Sequence, residues 1–559
     1  MSKRKSVLLF LILKGEKKAV KDLGWVVAEI RSLIGSYRYE QAQQRVQQAL
    51  DPNLSKNAKL QLLLLNVEIS ISQGDKINPE LLKEIKSLLE LDIDTKIKAE
   101  ALHVISRVER RTGRYQEAIN HVKESITLYR ELLNSKAIVS VLNTLAQTQA
   151  VQGNFYAARE ATAEALQLAR ASGDFQGYGR ALMNCALLEQ ELGFHDLAIA
   201  HYELANQLLE ETGDKKYLAL ALNNLADLEI TRGDLSKGLH LLQQALFLWR
   251  IVGGKGKISV VLTQMGRINM LKGNLQDAEL LFRAAIDLAS PDQTLHPLAF
   301  IWALGNMADF ERRRGHLDQA LKLAKDSVSL LEKAEISGTD LAYSWGMVTS
   351  ILLEMNKISQ SEYALETCEV ICNSLDYSEG IVHNILLRGI LELQKGNLGL
   401  AQEYLAKARA ASEENKFFEI QIQAELALAD MYLQKLKIKY DEAQQENAAA
   451  SLLTASQLAE QTALQSVKLE AKILKAVAQS INGQYEDAVR ILQAVETKAR
   501  ALELHLIGDK ARKNRLPILT LMRILKIPPP PNIQIDIMKE YIDQALECIA
   551  DAQITLRKP

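Results

Sequence analysis

One phrase recurs along this chain and limits what it can fold into. It is a glycine, a polar residue, an aromatic residue or Leu, two variable residues, then a small residue, usually Ala. It reads GRYQEA from Gly113, GNFYAA from Gly153, GDLSKG from Gly233, GNLQDA from Gly273, GHLDQA from Gly315, GNLGLA from Gly396 and GQYEDA from Gly483. At Gly193, GFHDLA keeps the ends and moves the aromatic. From Gly113 to Gly273 the copies stand forty residues apart, and Asn356 takes the glycine's place in NKISQS. Weaker copies centre on Gly35, Gly74 and Leu436, and those at Gly35 and Leu436 carry two extra residues before Ala42 and Ala443. The count is about twelve units. Self-similarity at a fixed period of this size marks a repeat array, in which each unit completes its core against its neighbours.

Each part of the phrase has a physical role. Glycine closes a helix in the left-handed conformation at low cost, and Asn is its usual substitute. Seven residues before the turns lie small residues: Ser106, Ala146, Ala186, Ala226, Gly266, Ala308, Gly389 and Ala476. After the turns come small pairs seven apart, such as Ala158 with Ala165, Ala198 with Ala205 and Ala278 with Ala285. Small residues on facing stripes let two antiparallel helices approach closely. Leu, Ile and Val fill the neighbouring positions with helical spacing, and strand-like alternation is nowhere sustained. The expected chain is all-α, a series of helix-turn-helix hairpins stacked one on the next.

This pattern resembles the tetratricopeptide repeat family, over roughly residues 25–500. The family unit is 34 residues and the unit here is nearer forty. Forty-residue units are similar to those of kinesin light chains, of spindle-orientation polarity adaptors and of helical sensor domains in bacterial regulators. The segment ALNNLADL, from Ala221 to Leu228, is similar to the first helix of a kinesin light chain repeat. The resemblance implies a right-handed α-solenoid of about twelve hairpins with a C-terminal capping helix. The expected layout is an N-terminal helix or cap over 1–24, the solenoid over 25–500 and a terminal helical segment over 501–526. A proline linker follows over 527–532, then a capping helix over 533–559. In this last segment Met538, Tyr541, Ile542, Ala545, Leu546 and Ile549 form an apolar stripe. The stripe can cover the last repeat or fold back into the groove.

Chemistry is sparse. Net charge is −2, with both signs interspersed, so there is no global basic field for nucleic acid or an anionic membrane. The apolar run from Val7 to Leu13 is too short to span a bilayer, and Lys14, Glu16, Lys17 and Lys18 follow it directly. Cys185, Cys368, Cys372 and Cys548 form no disulfide framework and read as reduced thiols in a cytoplasmic protein. The nine histidines make no HExxH arrangement or metal-ligand spacing, and His195, His201 and His383 read as structural or exposed. Gly253-Gly-Lys-Gly-Lys257 lacks the spacing of a phosphate-binding loop, follows no strand and reads as a loop between repeats. No catalytic, metal or cofactor site is expected.

The resemblance also implies a binding face. In the family, inner-surface positions lie thirteen, ten, six, three and two residues before the turn glycine. Carried over, that register gives His103, Arg107, Arg110 and Arg111; Asn143 and Gln147; Arg180 and Gln190; Asn223 and Asp227; and Arg267. It then gives Trp302, Asp309, Arg312 and Arg313, and finally Tyr343. Asn both donates to and accepts from a peptide backbone. Arginine binds carboxylates through two hydrogen bonds, and Trp and Tyr offer apolar anchors with a polar tip. The expected role is a protein-interaction scaffold or adaptor that takes a peptide with acidic residues along repeats three to eight. The alternative is a peptide- or ligand-responsive sensor acting on a separate effector. Lys is absent from the matching positions of repeats three to six, which argues against the family's carboxylate clamp.

Overall fold

The computed structural model describes residues 23–73, 77–289, 297–334, 336, 338–461 and 465–525. These hold twenty-five α-helices and no strand. The helices are α1 (23–35), α2 (Tyr39–Ala49), α3 (Lys56–Gln73), α4 (Pro79–Leu89), α5 (Thr95–Arg111), α6 (Tyr115–Glu131), α7 (Ser135–Val151) and α8 (Phe155–Ser172). Then come α9 (Phe175–Glu191), α10 (His195–Glu211), α11 (Lys215–Thr231), α12 (Leu235–Val252), α13 (Lys255–Lys272), α14 (Leu275–Ala289), α15 (Pro297–Arg314) and α16 (Leu317–Lys333). The last are α17 (Thr339–Glu354), α18 (Ile358–Leu375), α19 (Ser378–Gln394), α20 (Leu398–Glu414), α21 (Phe418–Ile438), α22 (Glu442–Gln461), α23 (Gln465–Ile481), α24 (Tyr485–Ala501) and α25 (His505–Ile524). Odd and even helices pair into twelve hairpins, and α25 packs on α24.

The turns follow the phrase. At its strong copies the glycine is left-handed, with φ from 77° to 90°, and Asn356 takes the same place at φ 56°. The weak copy at Gly35 has its left-handed residue at Tyr37, φ 61°, which restores the normal spacing to the buried Ala42. The copy at Leu436 departs from expectation. There α21 has 21 residues, one turn longer than the usual 17 of a first helix, so the hairpin closes later. Ala443 is exposed, and Ala448 and Ala455 occupy the small core positions instead.

The small stripes do what their size permits. Ser106, Ala146, Ala186, Ala226, Ala308 and Ala476 are at most 1 % exposed. A Cβ on Gly266 would stand 2.7 Å from the Phe282 ring, and one on Gly389 would stand 2.7 Å from the Leu405 side chain. Larger residues across the hairpin have taken up the space that the glycine leaves.

The hairpins wind into a superhelix whose successive turns touch. The α5–α6 turn meets the end of α16, where a Cβ on Gly113 would lie 2.7 Å from the Ala334 carbonyl oxygen. The α7–α8 turn meets Leu375 at the end of α18, and the α15–α16 turn meets the start of α25. Apolar seams join the turns. Tyr115 packs with Leu331 and Ile336, and Phe155 packs with Leu375. His195 lies edge-on to Phe417 at 5.2 Å, with Lys416 paired to Asp196 beside it at 2.7 Å.

The seams explain the aromatic-or-Leu position of the phrase. Tyr115, Phe155, His195, Leu235 and Leu275 occupy it and are buried. In the later copies Leu317, Leu398 and Tyr485 are only half-buried.

The 501–526 segment contains α25. Residues 1–22, the copy at Gly74, the 527–532 linker, the 533–559 capping segment and Cys548 lie outside the described residues. Among the described residues, no helix is long and apolar enough to cross a membrane.

Candidate binding surface inside the superhelix

The first helix of each hairpin buries a broad apolar face and turns a narrow polar stripe inward. In α5, Ile97, Ala101, Leu102, Val104, Ile105 and Val108 are buried, while Arg107, Arg110 and Arg111 keep accessible surface. The superhelix brings such stripes face to face from hairpins several repeats apart, so charges meet that are distant in sequence.

The first of these meetings is cationic. Arg110 and Arg111 end α5, Lys216 lies in the first turn of α11, and Lys257 lies in the first turn of α13. Among the described residues none of the four has a carboxylate partner within salt-bridge distance, whereas nearby Arg107 binds Glu68 at 3.3 Å. Arg110 Nε is buried without a hydrogen-bond partner. Burial, Arg111 and Arg110 bring the Lys257 ammonium down to about 8. Burial with Arg107, Arg111 and Arg180 holds Lys216 well below the usual lysine range. Arg111 is pressed in the same direction by burial, Arg110 and Arg107, but a guanidinium keeps its proton at neutral pH, so the lysines yield. His103, bonded to Thr144 at 2.9 Å, is held neutral by burial and the same arginines, at about 3.

Next comes an acidic zone, where Glu191, Asp227, Asp340 and Glu379 face one another from α9, α11, α17 and α19. Burial, then Asp340, Glu379 and Asp227, raise Glu191 to about 8. Glu379 rises to about 7 through burial, despite Arg267. Asp340 rises to about 6 through burial, opposed by a hydrogen bond from Trp302 Nε1. Trp302 and Tyr343 keep 38 % and 46 % of their surface, the exposed aromatics of this inner face.

A third zone is neutralised within itself. Glu419, from α21, accepts from Arg267 of α13 at 2.9 Å and from Arg313 of α15 at 3.2 Å. Arg313 also binds Asp309 at 2.9 Å, and Arg312 joins Asp309 at 2.7 Å and Glu354. Arg267 lies 3.8 Å from Asp227. The network ties the seventh and eighth hairpins to the eleventh.

The expected inner-face residues therefore divide. Arg110, Arg111, Trp302 and Tyr343 present surface to the interior, as do Arg107 and Asp227, although Arg107 is paired with Glu68 at 3.3 Å and Asp227 lies 3.8 Å from Arg267. Arg267, Asp309, Arg312 and Arg313 are held in ion pairs, and Arg180 is bound to Asp214 with its guanidinium 4.3 Å from the Tyr217 ring centre. Asn143 is buried and accepts from Asn184 at 2.9 Å, while Gln147 donates to Asn184 at 3.2 Å. These amides join adjacent hairpins. Asn223 is also buried, with its Oδ1 unpartnered.

The register missed Lys216, Lys257, Asp340, Glu379 and Glu419. All five lie in the first turn of an inner helix, one turn before the first position of that register. Stepping back three or four residues along the same face would have found them. Lys257 also belongs to the glycine-lysine run read as a loop. In the structure α13 already begins at Lys255.

Cys185, Glu189 and His201 bring ligand-type atoms within 4.8 Å of one another. His201 Nδ1 lies 2.7 Å from Glu189, and the same pairing recurs at the same spacing as His121 with Glu109, at 2.6 Å, where no cysteine among the described residues completes a cluster. The Glu–His pair is a contact that joins the two helices of a hairpin.

Fold and interior together define an α-solenoid of helical hairpins with a charged inner surface. The family model described as tetratricopeptide repeat matches residues 99–136, the α5–α6 hairpin. A Rap protein complexed with Competence and Sporulation Factor is similar in fold. It is 14 % identical, with 64 % of this chain and 99 % of that chain covered, at a TM-score of 0.50. The apo form of the quorum sensor NprR from B. thuringiensis is 12 % identical, covers 63 % of this chain and 99 % of that chain, and has a TM-score of 0.42. No curated protein matches this chain in sequence. These likenesses concern the repeat fold and do not extend to the kinesin light chain detail.

Proposed function

We propose that this protein is an interaction scaffold that receives a partner segment with acidic residues along the inner face of hairpins three to eight. The observation that carries the reading is the set of inward-facing cations Arg110, Arg111, Lys216 and Lys257, which have no carboxylate partner among the described residues. Trp302 on α15, in the eighth hairpin, and Tyr343 on α17, in the hairpin after it, supply apolar anchors further along the same face. The solved Rap protein, complexed with Competence and Sporulation Factor, supports the idea that a solenoid of this kind holds a separate molecule. The proposed role is binding rather than catalysis. Free, buried Cys368 and Cys372, with sulfurs 3.9 Å apart, fit action in the reducing cytoplasm.

A photo-crosslinking amino acid placed at Trp302 or Tyr343, and in parallel at the outward, 65 % exposed Phe247, tests the surface in the native cell. Partner adducts from the inner positions alone are expected. Adducts from Phe247 alone would defeat the reading. A regulatory role has one observation in its favour. A ligand that draws Arg267 or Arg313 away from Glu419 would loosen a tie between hairpins far apart in sequence, and so change the superhelix.

A further inference from the structure

We propose that Arg110, Arg111, Lys216 and Lys257 form a binding site for a compact dianion, a phosphoryl group, inside the superhelix. The inference rests on the inner face being the ligand-bearing surface. Arg110 and Arg111 at the end of α5 lie close enough to act on Lys257 at the start of α13, and Arg111 also acts on Lys216 at the start of α11. All four are half-buried, so they are neither free in bulk water nor sealed in the core. Asp214 is the carboxylate nearest in effect to Lys216, and it is taken by Arg180 at 2.5 Å.

The placement of the lysines is unfavourable without a ligand. The first turn of a helix carries partial positive charge and favours anions, yet Lys216 and Lys257 both stand there. The α13 start has no side-chain cap, because Gly254 occupies that position. The N–H groups of Lys257 and Ile258 bond back to the Gly254 carbonyl, so the donors that this end offers a bound anion are those of Lys255 and Gly256. Arg110 Nε is a further buried donor with nothing to bond.

The charge count selects the ligand class. A single carboxylate brings one charge and two oxygens. A phosphoryl group brings a charge of about −1.5 to −2 and three strong acceptor oxygens, which suits several converging donors. The titratable and charged groups around the lysines are Arg107, Arg110 and Arg111 from α5, Arg180 from α9, Asp214 and Tyr217 at the start of α11, and Tyr37 after α1. Their balance is positive, so Lys257, brought down to about 8, is partly deprotonated when the site is empty. A dianion reverses that, and binding draws protons from solution.

The probes are inorganic phosphate and a short glycine-serine peptide with one phosphoserine, each titrated calorimetrically into the full chain at pH 7.5 and fixed ionic strength. Saturable one-site binding is expected, with proton uptake read as a dependence of the heat on the buffer. Tighter binding of the peptide identifies the source as a phosphorylated partner. Equal or tighter binding of inorganic phosphate identifies a free phosphate compound. Arg111→Gln and Lys257→Gln should each weaken binding by about tenfold or more, while Lys322→Gln on the exposed outer side of α16 leaves it unchanged. Both site variants should also raise the ligand-free melting temperature, because each removes an uncompensated cation. Absence of saturable phosphate and phosphopeptide binding, insensitivity to both variants, or a lower melting temperature in both would overturn the assignment. Phosphate binding can succeed while the inner-face crosslinks fail, so the two proposals fail separately.

Discussion

Replacing Gly113 by alanine puts a methyl group where one superhelical turn meets the next. Two costs add. A non-glycine residue in the left-handed region costs about 1–2 kcal/mol, and Gly113 sits there at φ 82°. The new Cβ would also lie 2.7 Å from the Ala334 carbonyl oxygen, a backbone atom that cannot swing aside. Relieving such an overlap costs roughly 1–3 kcal/mol by shifting the packed turns apart. Gly396→Ala isolates the first cost. Gly396 has the same φ of 82°, and a Cβ there would meet nothing within 4 Å. Long repeat arrays do not unfold as one unit, so the assay should be local. Native-state hydrogen exchange reads the opening free energy of α5, α6 and α16 separately. Gly113→Ala should lower all three, and its total cost should exceed that of Gly396→Ala by at least about 1 kcal/mol. Small-angle scattering should show a longer or looser particle for Gly113→Ala alone. Equal costs within about 0.5 kcal/mol, with unchanged exchange in α16, would refute the claim that the turns bear on each other at this point.

Two further perturbations test the interior. The folded-state carboxyl of Glu191 is raised from 4.5 to about 8 by burial and by Asp340, Glu379 and Asp227. The folded form thus holds more protons than the unfolded one, and stability is fully present below pH 4.5 and lost as pH rises through about 8. Glu191 keeps some accessible surface, and water reaching it reduces the loss to about 1–3 kcal/mol. Glu191→Gln should therefore raise the melting temperature at pH 8.5, leave it unchanged near pH 4, and flatten the curve between; an unchanged curve would count against the acidic zone. Glu419 has the opposite sign. Burial opposes its charge, but Arg267 and Arg313 prevail and hold the carboxyl below its usual range, so its contribution is lost on acidification. Glu419→Gln leaves two half-buried arginines short of a partner and should cost about 1–3 kcal/mol at neutral pH. The loss should show as faster exchange in α13, α15 and α21, and exchange unchanged in all three would contradict the network.

The repeat could be read because it is local. The glycine turn, the small residues seven positions before it and the small pairs after it lie within one hairpin, and each settles a contact between two neighbouring helices. The reading slipped at Leu436, where α21 gained a turn and moved the small positions to Ala448 and Ala455. Half of the inner face was also legible, since Arg107, Arg110, Arg111, Trp302 and Tyr343 follow from the register within a helix. The register did not show which of its polar residues are spent inside the array. Asn143 looks like a peptide reader by position, yet the next hairpin uses its side chain through Asn184.

Sequence by itself determined the all-helical array, its period, its turns and the polarity of each helix, because those depend on residues within about forty positions of one another. Tertiary structure alone decided which charges meet. Arg111 faces Lys257 and Glu419 joins Arg267 because the superhelix returns after several hairpins, at a pitch set by many small packing angles. The same closure buries Tyr115 and Phe155 and leaves Leu398 and Tyr485 half-buried, although all four occupy the same place in the phrase.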